Sequence, residues 1–236
     1  MSQERTEAIV LRGVDFGETS RIVTFLAPDR GRLACMVQGA RRPKSGLGPV
    51  LDTFNHLELV YYWKDGRSVQ KLGDAALLNG FAALKADLDK AVYAAFPLEV
   101  AYKVAQENEP SHGLFAALVR GLEDMGRWAG SARTHAAWQV WRLMTEAGLA
   151  PAVIEEGPPG RAVGFSYDFG MAGAGARADR KLSPACHGAL RAFARCPDSC
   201  PARDDAGEAF DVLRGYAVRQ LDAEFRSLRV IDQMFR

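Results

Sequence analysis

A chain of 236 residues has room for one large domain or two small ones, and its apolar fraction of 48% is ordinary for a protein with a packed core. Thirty Lys/Arg against 29 Asp/Glu leave a formal charge of +1, so any surface for a polyanion must come from where charge sits rather than from its total. No run approaches the ~18 apolar residues of a membrane-spanning helix, and the opening Met-Ser-Gln-Glu-Arg-Thr-Glu has acids where a signal peptide has an apolar segment; the expectation is a soluble cytoplasmic protein with no membrane partner.

Residues 6–14 form the first strand candidate, and the β-branched runs Ile22 to Leu26 and Leu33 to Val37 flank a Pro28-Asp29-Arg30-Gly31 turn, the pattern of a hairpin. Leu57, Leu59, Tyr61 and Trp63 alternate with Glu58, Val60 and Tyr62 in a fourth strand, and Lys64-Asp65-Gly66 turns the chain into a fifth at about Arg67 to Leu72. Five short antiparallel strands before any helix predict a small closed barrel over residues 1–80. The OB-fold is one such barrel, and its exposed face and loops bind single-stranded nucleic acid; an SH3-like barrel fits the pattern almost as well.

Near Phe81 the apolar period changes from two to about 3.6. Leu84, Leu88, Ala91, Val92, Ala95 and Phe96 share one face, and Pro97 either kinks that helix or opens another. Further helices are expected at Ser111 to Trp128, Ala132 to Ala147 with Gly148 as its stop, Pro184 to Ala194 and Ala206 to Glu224. Residues 155–178 are rich in Gly, Pro and Ala and predict an irregular insert or small β-element. The fold class is therefore α+β: a barrel over 1–80 and a mostly helical domain over 81–236, interrupted at about 153–180.

Gly173-Ala-Gly175-Ala-Arg-Ala178 matches a dinucleotide fingerprint in letters only. That motif needs a strand–turn–helix inside a βαβ unit, and no parallel-sheet pattern surrounds it. The four histidines are isolated and no Walker A, H-E-x-x-H or G-x-S-x-G motif occurs, so no catalytic residue is assigned and no enzyme is expected. Cys196-Pro-Asp-Ser-Cys200 with Cys186 and His187 upstream is poor spacing for a zinc site.

Charge supplies the positive signal. From Arg21 to Lys44 the chain carries Arg21, Arg30, Arg32, Arg41, Arg42 and Lys44 against the single acid Asp29, which suits a groove that tracks a phosphate backbone, or else a merely solvated loop. Residues 1–80 hold eleven Lys/Arg and nine Asp/Glu, whereas residues 81–160 hold seven and ten. The basic face thus belongs to the barrel.

The run Gly17 to Val23 (GETSRIV), the G-A-R-R-x-x-S of Gly39 to Ser45 and the L-x-x-F of Leu51 to Phe54 resemble the N-terminal domain of the RecO family of bacterial recombination mediators. Thr145 to Pro151 (TEAGLAP), Gly164 to Asp168 (GFSYD), and the closing LRGYA from Leu213 and FRSLR from Phe225 follow in that family's order. The resemblance implies an OB-fold that binds single-stranded DNA and more weakly duplex, anneals complementary strands and, with RecR, helps load RecA onto strands covered by single-strand-binding protein in the nucleoid. On it, the DNA-binding candidates are Arg21, Arg30, Arg32, Arg41, Arg42, Lys44, Arg67 and Lys71. It further implies capture of that protein's acidic, phenylalanine-ended tail by the helical domain, where Arg120, Arg127, Arg133 and Arg142 would rim a groove floored by Phe115, Leu118, Leu122 and Trp138. Many family members place two C-x-x-C pairs where this sequence has Ile154 to Gly157 and Gly173 to Ala176; the insert is expected to be a degenerate, metal-free zinc-knuckle, and no cofactor is expected. The alternatives are an OB-fold protein-interaction module or an RNA-binding module without annealing activity.

Overall fold

Period-two alternation closes on itself here. The computed structural model describes residues 1–42, 45–154, 163–172, 177–196, 198–201 and 207–235. Five strands come first: β1 (Ser2–Phe16), β2 (Ser20–Ala27), β3 (Gly31–Val37), β4 (His56–Trp63) and β5 (Gln70–Asn79). They form a closed barrel in the order β1-β2-β3-β5-β4, and β4 returns to β1 through pairs such as Ala8 with Leu57. All these ladders are antiparallel except β3 with β5, a short parallel contact that sets Cys35 opposite Gln70 and Met36 opposite Lys71. This is the OB arrangement. Val23, Phe25, Leu33, Cys35, Leu57, Leu59, Tyr61 and Leu72 fill the interior, where burial alone pushes the Cys35 thiol up to about 12.

Two strands exceed their sequence signals. β1 runs from Ser2 because its first half pairs with β4 and its second half with β2, the switch being made across a bulge between Val10 and Arg12. β5 begins at Gln70 and continues through Gly73-Asp74-Ala75-Ala76, poor strand formers that the β4 ladder holds in place.

The helices are α1 (Ala82–Lys85), α2 (Leu88–Val104), α3 (His112–Arg127), α4 (Ala132–Glu146), α5 (Pro184–Arg195), α6 (Gly207–Leu221) and α7 (Arg226–Met234). Pro97 lies inside α2 and opens no second helix. Phe96, Leu98, Val100 and Ala101 around it are all buried, and their packing offsets a proline cost of about 3 kcal/mol. The expected start at Ala206 lies outside the described residues. The expected end at Glu224 is corrected: the chain breaks at Asp222, with φ of 42°, and restarts as α7. No local side chain caps α7; instead Glu99 of α2 accepts from the amides of Arg226 and Ser227 at 3.1 and 2.9 Å and from the Ser227 hydroxyl at 2.7 Å.

Packing separates Met1–Ala82 with Ala101–Leu122 from Ala83–Val100 with Glu123–Arg236, whereas the division expected at residue 80 follows the change in secondary structure. In the first unit, Ser111 donates its amide to Pro28 O at 2.7 Å and Arg32 donates its amide to Gln106 O at 2.8 Å, fastening the chain before α3 to the β2–β3 turn. In the second, α4, α5 and α6 pack together. The insert forms β6 (Gly164–Ser166), β7 (Gly170–Ala172) and β8 (Arg180–Lys181) in the order β7-β6-β8. Three of the short motifs meet here. The Tyr167 ring covers Gly215, Arg219 binds Asp168 at 2.6 Å, and the Tyr216 hydroxyl donates to Leu149 O at 3.2 Å.

Candidate nucleic-acid interface

At one end of the β2–β3 hairpin the two basic motifs are stitched together. Gly17 and Gly39 take φ of 60° and 70°, conformations that glycine adopts without strain. They let the β1–β2 turn and the loop after β3 approach: the Arg41 amide donates to Thr19 O at 3.0 Å, and the Arg41 guanidinium reaches Gly17 O and Glu18 O at 3.4 and 3.3 Å. Asp15 lies between two cations, 3.3 Å from Arg41 Nε and 3.7 Å from Arg21 Nε. Arg21 also lies across Gly13, where a Cβ would stand 2.6 Å from its Nε. Arg41 and Arg21 are therefore braces that share a carboxylate. Arg42 is exposed and makes no ion pair among the described residues; Lys44 lies outside them.

Arg30 and Arg32 are at the other end of the hairpin, six residue steps along β2 from Arg21, roughly 20 Å at ~3.3 Å per residue. Both are engaged. Arg30 binds Glu4 at 2.7 Å with its guanidinium 4.1 Å from the Trp63 ring centroid. Arg32 binds Glu107 at 3.2 Å and Tyr102 O at 3.2 Å. Partial burial works against ionisation of Glu4, but hydrogen bonds from Arg30 and from the Tyr61 hydroxyl outweigh it and hold the carboxyl below its usual range. Burial, and then donation to Glu4, pushes the Tyr61 phenol up to about 12. A cluster that is continuous in sequence is thus divided by the hairpin into two groups, and the Arg30/Arg32 group already has its counter-charges.

The parallel β3–β5 pair adds one cation toward the Arg21 end. Lys71 stands opposite Met36, next to Val37, the partner of Arg21. It is exposed, with its ammonium 5.8 Å from the Tyr62 ring centroid. Arg67 is exposed in the β4–β5 loop, which follows Trp63 and so leads away toward the Arg30 end. Arg12, absent from the sequence-derived candidates, is exposed on β1 opposite Thr24 and makes no ion pair among the described residues. Nothing local announces it, because the bulge at Val10 and Arg12 resets which residues of β1 face outward.

Among the residues expected to hold a partner's tail, Phe115, Leu118, Leu122 and Trp138 are all buried. Phe115 sets its ring edge-on to His56, and Trp138 donates to Cys196 O at 3.1 Å. Arg120 and Arg127 are exposed. Arg133 pairs with Asp211 at 2.6 Å, and Arg142 with Glu146 at 3.6 Å and Asp198 at 3.9 Å. Arg133 also lines an open pocket of about 160 Å³ with Tyr93, Phe210, Arg214, Asp232 and Phe235. Among the described residues no three His, Cys, Asp or Glu side chains converge on a point that could hold a metal. Cys186 is buried in α5, Cys200 half-buried and Cys196 exposed. No helix among the described residues is long and apolar enough to cross a membrane.

Two family models cover nearly all of the chain: "Recombination protein O N terminal" matches residues 1–81 and "Recombination protein O C terminal" residues 85–229. A DNA repair protein RecO of Salinibacter ruber is 32% identical over 222 residues, covering 92% of this chain and 82% of its own length. One from Anaeromyxobacter dehalogenans strain 2CP-1 is 29% identical over 257 residues, covering 99% and 98%. One from a Nocardioides species is 38% identical over 155 residues, covering 63% and 61%. An OB barrel followed by a helical region, matched along both parts by these models and relatives, means that the chain belongs to the RecO family of DNA repair and recombination proteins.

Proposed function

We propose that this protein is a non-enzymatic recombination mediator that binds single-stranded DNA on the barrel, anneals complementary strands and, with RecR, helps place RecA on strands covered by single-strand-binding protein in the nucleoid. The observation that carries the reading is the exposure of Arg12, Arg42, Arg67 and Lys71, none of which makes an ion pair among the described residues, on an OB barrel and its loops. Cations without counter-charges release condensed ions from DNA, whereas Arg30 and Arg32 would first have to leave Glu4 and Glu107. Joint replacement of Arg42, Arg67 and Lys71 by alanine is expected to weaken binding to all single strands alike. It should also flatten the slope of log K against log salt by about two units, at ~0.7 per phosphate. Fluorescence anisotropy at four salt concentrations reads both, and an unchanged slope would count against the reading.

The partner tail belongs to the same proposal. An acidic peptide ending in phenylalanine needs an apolar pocket beside cations, and the pocket at Tyr93 and Phe210 offers apolar walls within the second unit beside Arg133 and Arg214, which would have to leave Asp211 and Asp232 to meet such a tail. Titration of a fluorescent tail peptide should show at least about a tenfold loss for Arg133→Glu and no binding once the terminal phenylalanine is removed. Equal affinity for wild type and variant would remove this pocket from the proposal.

A further inference from the structure

The short helix α7 is fastened unevenly along its length. Its first turn is fixed by the Glu99 carboxylate and by Phe225, which is buried and sets its ring edge-on to Phe96 at 5.2 Å. Leu228 and Ile231 continue the buried side. Beyond Ile231 the contacts change in kind. Asp232 accepts two hydrogen bonds from the Arg214 guanidinium, at 2.7 and 2.8 Å. Phe235, which is 40% exposed, stacks on Tyr93 with ring centroids 4.9 Å apart and planes 20° from parallel. Both side chains of the ion pair are also partly solvated, Arg214 at 29% and Asp232 at 43% exposure. A solvated ion pair and one stacked ring are weak ties, and the carbonyls of a helix's last turn have no partner within the helix. The end of α7 is therefore its easiest part to lift.

These ties lie on the pocket that Arg133 lines. Tyr93, Phe210 and Ile231 give it apolar walls, and Asp232 and Phe235 close one side. Its volume of about 160 Å³ has room for one aromatic ring, since a cavity of about 150 Å³ accepts benzene. What it lacks is free charge. Arg133 is held by Asp211 and Arg214 by Asp232, but the two acids differ in mobility: Asp211 sits in the middle of α6, whereas Asp232 belongs to the turn that lifts. Asp232 and Phe235 are three residues apart and share a helix face. A carboxylate and an aromatic ring are thus engaged by an arginine and a tyrosine. That is the chemistry of an acidic peptide ending in phenylalanine, supplied from within the chain.

We propose that the last turn of α7 is an internal competitor for this pocket: it holds Arg214 and covers Tyr93 in the unpartnered protein, and lifts to release both to a peptide carrying carboxylates and a phenylalanine. The proposal rests on the reading of this pocket as the site of the partner's tail and adds how that site is regulated. The apparent dissociation constant is the intrinsic one divided by the fraction of molecules whose site is open. Weakening the closed turn therefore tightens capture.

The test titrates a fluorescein-labelled peptide of acidic residues ending in phenylalanine against wild type, Asp232→Asn and Phe235→Ala. Each variant is expected to bind it roughly 2- to 10-fold more tightly, the range for loss of one exposed ion pair or one ring stack. Thermal midpoints should stay close to wild type, because Phe225, Leu228 and Ile231 keep their burial. Phe235→Ala leaves every charge in place, so its gain separates release of the turn from simple removal of a negative charge. Amide exchange followed by NMR in wild type gives a second readout: residues 232–235 should lose protection when the peptide binds, while Arg226 and Ser227 keep theirs. Unchanged or weaker binding by Phe235→Ala overturns the competitor and makes Phe235 a wall that the peptide uses. Unchanged protection at residues 232–235 on binding overturns it equally, and in both cases the pocket remains the tail's site. If wild type and both variants all ignore the peptide, the reading of the pocket falls as well.

Discussion

Gly31→Ala is expected to destabilise the barrel unit by about 3–5 kcal/mol, a larger loss than the removal of most single side chains. Gly31 has φ of 57°, and a Cβ there would stand 2.3 Å from Gln106 O and 2.5 Å from Glu109 O. Both obstacles are backbone, so no rotamer change relieves them. The left-handed conformation costs an alanine roughly 1–2 kcal/mol. Displacing residues 106–109 would strain the bonds from the Arg32 amide to Gln106 O and from the Ser111 amide to Pro28 O, each contributing about 1 kcal/mol. Gly66→Ala is the control, because Gly66 has φ of 76° and no atom within 4 Å of the added carbon; only the conformational cost of about 1–2 kcal/mol applies there. Urea unfolding of the two variants measures the difference. Equal losses would show that the close approach at Gly31 is not rigid.

Acid is expected to remove about 3 kcal/mol of stability through one side chain, His135. It is fully buried in α4 between the rings of Trp128 and Trp138, at centroid distances of 5.6 and 5.2 Å. Neither ring nitrogen has a hydrogen-bond partner, and Gln139 one turn later is equally unpartnered. Burial, reinforced by the charge of Lys90, lowers the His135 pKa to about 4. The unfolded chain takes up this proton near 6.5 and the folded chain resists until about 4, so between those values the unfolded state binds more protons. The contribution is complete above about pH 6.5 and is lost as pH falls to 4, at about 1.4 kcal/mol per unit. Unfolding free energies of wild type and His135→Phe at pH 7, 5.5 and 4 should diverge from parallel curves, the variant losing less. Parallel curves down to pH 4 would mean that His135 is solvated when folded.

Alternation in residues 22–26, 33–37 and 57–63 was enough to read the barrel, because one face of each strand must be apolar to fill the interior. The helices α3, α4 and α5 were equally legible from their stripes and caps, Ser131 before α4 among them. What local pattern could not carry was anything supplied from a distance. α7 owes its start to Glu99, more than a hundred residues upstream. The length of β5 comes from β4, and the outward placement of Arg12 from a bulge. The candidate site was legible as a charge cluster but not as a geometry. A hairpin converts neighbours in sequence into opposite ends of a sheet, and only the partners Glu4 and Glu107 distinguish committed arginines from free ones.

The interleaving of the two packing units bears on how the chain acquires its structure during synthesis. When residue 82 leaves the ribosome all five strands are available, yet Ala101–Leu122, which packs with them, is still to come. At roughly 5–20 residues per second, another forty residues take about 2–8 s. For that interval the β2–β3 turn lacks the acceptor at Gln106 and the donor at Ser111, and His56 lacks Phe115. A nascent barrel can complete its ladders but not its outer packing, so its late consolidation is set by translation beyond residue 122. A fragment cut at the end of the first family match would stay in that intermediate condition, whereas one carried through residue 122 would not.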